Sequence, residues 1–132
     1  MLMILVYSQP RAAGFSVPES IAGAEIINAE SLIVLAQSVS DLKLIDSRLA
    51  QDRSTGFIEG SISLSDLETS CERLRSHLSS KSQAAVFYSN GIYCPRSARA
   101  ISKALDCGYT RVYWLRAGFE EWRNSDYPYM LE

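Results

Sequence analysis

Short apolar runs alternate along the chain with longer stretches in which apolar residues recur every three or four positions, the spacing of an amphipathic helix. Glu25-Ile26-Ile27 reads as a short strand. Asn28 can cap the helix that follows, with Glu30 in its first turn and Leu32, Ile33, Leu35, Ala36 and Val39 on its apolar face. Residues 42–45 form a second strand that ends at Asp46-Ser47-Arg48, and residues 52–56 are polar and turn-like. Ile62 and Leu64 share one side of another short strand. Ser65 or Asp66 then caps a helix through Leu67, Leu74 and Leu78, with Cys71 on the same apolar stripe. Residues 84–88 are an uninterrupted apolar run with β-branched and aromatic members, as in a strand buried on both faces. Ala100, Ile101, Ala104 and Leu105 define a helix from Arg96 to Leu105, closed by Gly108. Residues 111–115 make the next strand, and Gly118 leads into a short helix carrying Phe119 and Trp122.

Strand and helix alternating in this way predict an α/β domain. Its central, mostly parallel sheet of about five strands would be flanked by helices on both faces, with any site outside the carboxyl ends of the strands. Asp46 and Ser89 both fall at such ends. The domain is expected over residues 25–132, preceded by residues 1–24 as an N-terminal arm or the remnant of a signal peptide. Residues 1–7 are apolar, but no Lys or Arg precedes them and the run is short for a complete export signal. They fit the tail of such a signal or a hydrophobic arm packed on the domain. No segment is long enough to span a membrane.

The chain has 132 residues, 47% of them apolar, and a net charge of −2. One domain with a substantial core fits that length. With no basic stripe, nucleic acid is excluded as an expected partner. An odd count of three cysteines, Cys71, Cys94 and Cys107, argues against a disulfide scaffold. The single His77 and the absence of a CxxC pair argue against a metal site. Cys71 and Cys107, on helical apolar faces, read as inert core thiols, and Trp114 and Trp122 as core aromatics.

Cys94 differs from the other two. It lies in the loop 89–95, between a buried strand and a helix, where the first backbone N–H groups of the helix lack intrahelical partners and carry partial positive charge. A thiolate there would be stabilised by those donors, which makes Cys94 a candidate nucleophile. Gly91 would let the loop turn its N–H groups inward, Pro95 suits the first helical position, and Arg96 has a planar fork of donors suited to an oxyanion.

Several motifs in order resemble the rhodanese-like sulfurtransferases across about residues 25–130. Leu44-Ile45-Asp46-Ser47-Arg48 resembles the strand-end D-x-R of that family. Residues 56–64, GFIEGSISL, are similar to its G-H-I-x-G-A segment, with Phe57 in place of the usual histidine. Residues 108–122 resemble its closing G-Y-x-x-V-x-x-L-x-G-G-x-x-x-W. The loop resembles that of a subgroup of small exported proteins with Y-C-N-G-x-x-C-x-R-S; Asn90, Gly91, Cys94, Arg96 and Ser97 are kept, while Ser89 replaces the first cysteine. The resemblance implies a thiosulfate sulfurtransferase-like enzyme that moves sulfane sulfur from thiosulfate or a persulfide donor to a thiol or cyanide through a persulfide on Cys94. Asn90, Gly91, Arg96 and Ser97 would bind substrate, and Ser89, Asp46 and Arg48 would support the site. No metal or organic cofactor is implied. The partners would be a small sulfane-sulfur donor and a thiol acceptor, the protein a monomer, and its location periplasmic, with the cytoplasm as the alternative.

Other readings stand beside these. Ser89 can be a strand-end hydroxyl that bonds the loop, Asp46 and Arg48 a structural pair, and Arg96 a partner for an acid such as Asp46. Loss of the strand-end cysteine fits a catalytically inactive rhodanese-like module that binds an anion or a protein. Phosphatase chemistry of the Cys-x5-Arg type is disfavoured, because Arg96 follows Cys94 too closely and Arg99 already lies inside the helix.

Overall fold

A computed structural model describes residues 16–132. Four βα units are recognisable in chain order. The first pairs β1 (Ala24–Ile27) with α1 (Ala29–Ser38). Next come β2 (Lys43–Asp46), a 3-10 turn over Ala50–Thr55, the short β3 (Ile62–Ser63) and α2 (Cys71–His77). The last two pairs are β4 (Ala85–Tyr88) with α3 (Arg96–Asp106), and β5 (Val112–Leu115) with α4 (Gly118–Asn124). The five strands form one parallel sheet in the order β1-β5-β4-β2-β3. The central β4 is fully enclosed, as its unbroken apolar sequence requires.

Alternation of side chains across the sheet divides the interior into two apolar clusters. Ile45, Phe87 and Trp114 meet Leu74, Leu78, Ala100, Ile101 and Ala104 beneath α2 and α3. On the other face, Val86, Tyr88 and Leu115 meet Leu32, Phe119 and Trp122 from α1 and α4. Asn28 caps α1 by accepting from the Ser31 N–H at 2.8 Å, as its position predicts. Of the N-terminal arm, residues 1–15 lie outside the described residues, so the two readings of the apolar run at 1–7 concern that part. Downstream of it, Val17 and Ile21 pack against the α3-side cluster, and the Pro18 carbonyl accepts from Arg116 Nε at 3.0 Å.

Two expectations need correction. The helix before β4 does not start at Ser65 or Asp66: its cap is Ser70, which accepts from the Arg73 N–H at 3.1 Å. Ser65 instead closes a turn by accepting from Glu68 N, and Leu67, 71% exposed, faces solvent. Starting later puts Cys71 on the first, exposed turn of α2 rather than on its apolar stripe. There it is bonded to Cys107, at the carboxyl end of α3, with Cα atoms 5.5 Å apart. Cys71 and Cys107 are therefore a disulfide, not two inert thiols, and the odd cysteine count concealed one bridge and one free thiol.

Candidate active site

The loop after β4 is held from below by α4. The first N–H groups of that helix would otherwise be unpaired; here Phe119 N donates to the Ser89 carbonyl at 2.9 Å and Glu120 N to that of Asn90 at 2.8 Å. Gly118 makes the approach possible. Its φ is +63°, and a Cβ there would meet the Ser89 carbonyl oxygen and the backbone of Asn90 and Gly91, the latter two at 2.8 Å. At Gly91 a Cβ would come within 2.7 Å of Glu120 Oε2, the free end of a flexible side chain, so a shift of Glu120 would relieve the contact. A turn with Cys94 N bonded to the Gly91 carbonyl at 3.0 Å then leads into α3, where Pro95, already helical at φ −82°, is the cap residue.

Beside the loop lies a buried charge network. Asp46 accepts at Oδ1 from Arg48 N and Nε (3.1 and 3.0 Å). At Oδ2 it accepts from Arg48 Nη2, Arg53 Nη1 and the Tyr88 hydroxyl (2.9, 3.1 and 3.1 Å). Arg48 also donates to the Gly56 carbonyl at 2.8 Å and to Asn90 Oδ1 at 3.3 Å, so one guanidinium joins the β2 end, the turn after it and the loop. Burial works against its charge, but the Asp46 carboxylate outweighs burial and holds the Arg48 pKa above its ordinary value. For Tyr88, burial and then the Asp46 charge push the phenol up to about 12.

Ser89 and Ser97 face each other inside the protein. Ser89 Oγ donates to Ser97 Oγ at 3.0 Å and lies 3.4 Å from the Cys94 carbonyl, while Trp114 Nε1 donates to Ser97 Oγ at 2.8 Å. Both serines are 1% exposed. Cys94 is half-buried and free; no hydrogen bond to its Sγ forms among the described residues, so the ring of amide donors expected around it is not assembled there. Arg96 is ion-paired with Asp66, Nη1 to Oδ1 at 2.6 Å, and not with Asp46. The structure thus brings Asp46, Arg48 and Asn90 into one network and Ser89, Ser97 and the Cys94 carbonyl into another, with Arg96 directed to a third group.

Some contributing residues were not visible in the sequence pattern. Arg53 lay in a stretch read as a polar turn, yet it is 4% exposed and reaches both Asp46 and Ser61. Its one sequence signal is Phe57, four residues on, whose ring lies 3.8 Å from the guanidinium carbon. Asp66 and Glu120 have no local signal, since each meets its partner only through the tertiary fold. Among the described residues, no group of three His, Cys, Asp or Glu side chains is placed to hold a metal ion, and no helix is long and apolar enough to cross a membrane.

A parallel five-stranded α/β domain with a loop seated between β4 and α3 is the architecture of rhodanese-like proteins. The rhodanese-like domain family model matches residues 29–125, and the chain belongs to that family. A protein from Bacillus halodurans superimposes with a TM-score of 0.72 at 22% identity, over 82% of this chain and 77% of its own. The rhodanese-like domain of an Anabaena protein matches with a TM-score of 0.69 at 18% identity, over 85% and 81% of the two chains. A thiosulfate sulfurtransferase from Pseudomonas aeruginosa matches with a TM-score of 0.66 at 20% identity, over 82% of this chain but 20% of its own. These likenesses are of fold. No curated protein matches in sequence.

Proposed function

We propose that this rhodanese-like domain is a sulfurtransferase that carries sulfane sulfur on Cys94, taking it from thiosulfate or a persulfide donor and passing it to a thiol or cyanide. One observation carries the reading. With Cys71 and Cys107 joined, Cys94 is the only free thiol of the three cysteines, and it lies half-exposed in the loop that enters α3. In the first step the Cys94 thiolate attacks the outer sulfur of the donor. A new S–S bond forms, and the donor's own S–S bond breaks with its electron pair leaving on sulfite or on a thiolate. The acceptor nucleophile then attacks that outer sulfur and Cys94 leaves as thiolate. The Asp46–Arg48–Asn90 network and the α4 N–H groups fix the loop in place for both displacements.

A second reading, an inactive anion- or protein-binding module, is favoured by the strand-end position itself. The hydroxyl that stands there, on Ser89, is buried and bonded to Ser97. Intact-mass measurement after incubation with sulfane donors separates the two: a gain of one sulfur that disappears in Cys94→Ser supports transfer, and an unchanged mass with every donor supports the module. We place the protein in the periplasm on the strength of the disulfide, which oxidising compartments preserve. Thiol trapping in cell fractions checks this: recovery in a reduced, cytoplasmic fraction contradicts it.

A further inference from the structure

Arg96, Arg99 and Lys103 occupy one face of α3, at i, i+3 and i+7, and all three turn to a single residue. Asp66 receives Arg96 at 2.6 Å on Oδ1 and Arg99 at 3.6 Å on Oδ2, and its carbonyl accepts from Lys103 Nζ at 2.5 Å. The Asp66 side chain is 2% exposed, and its N–H is fixed to the Ser47 carbonyl at the end of β2. The guanidinium closest in sequence to Cys94 is thus already matched by a buried carboxylate. A second carboxylate, that of Glu120, lies against the loop backbone at Gly91. Exposed apolar side chains, Ile92 and Tyr93, directly precede the thiol, Tyr93 being 88% exposed.

An anionic donor that claimed Arg96 would leave Asp66 buried beside a more distant cation, or would add its own charge next to that carboxylate; both are unfavourable. We propose that Asp66 is a positioning residue that withholds Arg96 from dianionic donors, so that Cys94 takes its sulfur from a hydropersulfide of a thiol rather than from thiosulfate. The inference rests on Cys94 being the sulfur carrier. In the step it implies, the Cys94 thiolate attacks the terminal sulfur of R–S–SH. The donor's S–S bond breaks with its electron pair, R–S⁻ departs, and the proton stays on the new Cys94 persulfide. Charge is conserved, and no external oxidant or reductant is needed.

Calorimetric binding of thiosulfate to Cys94→Ser and to Cys94→Ser/Asp66→Asn tests the masking without requiring transfer. Release of Arg96 is expected to tighten binding by about tenfold or more, the worth of a charged hydrogen bond. Cys94→Ser/Asp66→Glu, which keeps the carboxylate, is expected to restore weak binding; equal affinity in all three variants overturns the masking. Should the Asn variant not fold, the unsubstituted protein decides. Loading of Cys94 by cysteine hydropersulfide and by thiosulfate is followed by intact mass, and the ratio is compared with that for free cysteine. A ratio at least about tenfold higher in the protein supports the inference, and the same ratio overturns it. Absence of loading by either donor instead refutes sulfur transfer at Cys94, while the calorimetric comparison still decides the role of Asp66.

Discussion

Breaking the Cys71–Cys107 bond releases a covalent tie between residues 36 apart, a segment that contains α2, β4, the loop and all of α3. In the chain-entropy account, a closed loop of that length restricts the unfolded chain by about 13 cal/mol/K, or about 4 kcal/mol at 25 °C. That is a large part of the ~5–15 kcal/mol expected for a domain of this kind. With an unfolding entropy of about 2.1 cal/mol/K per residue, the midpoint should fall by about 10–15 °C. The local structure gives a further reason for the tie. Helix α2 has seven residues and buries only Leu74 among them, so little besides the disulfide and the following Leu78 fixes it to α3. Thermal and urea unfolding of Cys71→Ser/Cys107→Ser, followed by Trp114 and Trp122 fluorescence, measures the loss. Cys94→Ser alone, with the disulfide intact, should melt within about 2 °C of the unsubstituted chain. Thiol titration should find one reactive group before reduction and three after it in denaturant. A midpoint change under about 3 °C for the double variant would refute the loop-closure reasoning.

Asp46→Asn leaves Arg48 buried without its carboxylate and Arg53 with only the exposed Glu132, 3.2 Å away, and urea unfolding should show a loss of about 3–5 kcal/mol; a loss below about 1 kcal/mol contradicts the network. Tyr88 carries a pH signature. Its folded pKa of about 12 lies above the ordinary 10, so the stability it contributes is complete below pH 10 and disappears as pH rises towards 12. The advantage of the unsubstituted protein over Tyr88→Phe should therefore shrink by about 2–3 kcal/mol across that window, and parallel stability curves would count against the assignment. Gly118→Ala forces a side chain at φ +63° into the loop backbone. It should cost about 2–4 kcal/mol, measured by chemical denaturation, whereas Gly108→Ala, with nothing within 4 Å of its Cβ, should lose less.

The elements were legible where local chemistry decides them. Asn28 has the side chain to cap α1, and the run at 84–88 has no polar residue to show a solvent face, so it lies at the centre of the sheet. The α2 start was misread because Ser65, Asp66 and Ser70 are all acceptable caps; the apolar Leu67 suggested the earlier one, whereas in the fold it faces solvent. The earlier start also puts Cys71 on the apolar stripe, whereas it lies on the exposed first turn of α2, bonded to Cys107. The motif residues in the loop could be named from sequence, but their partners could not. The choice of Asp66 over Asp46 for Arg96, and the clamp of α4 on Ser89 and Asn90, depend on which helix crosses which strand end. Sequence order does not record that.

Sulfur passing through position 94 is most directly tested by a single-turnover chase. The protein is loaded from a donor labelled in its outer sulfur, freed of donor, and then mixed with cyanide. The label should leave as thiocyanate in an amount equal to the loaded Cys94, and Cys94→Ser should release none. Label that never binds, or that is carried equally well by Cys94→Ser, would contradict the assignment.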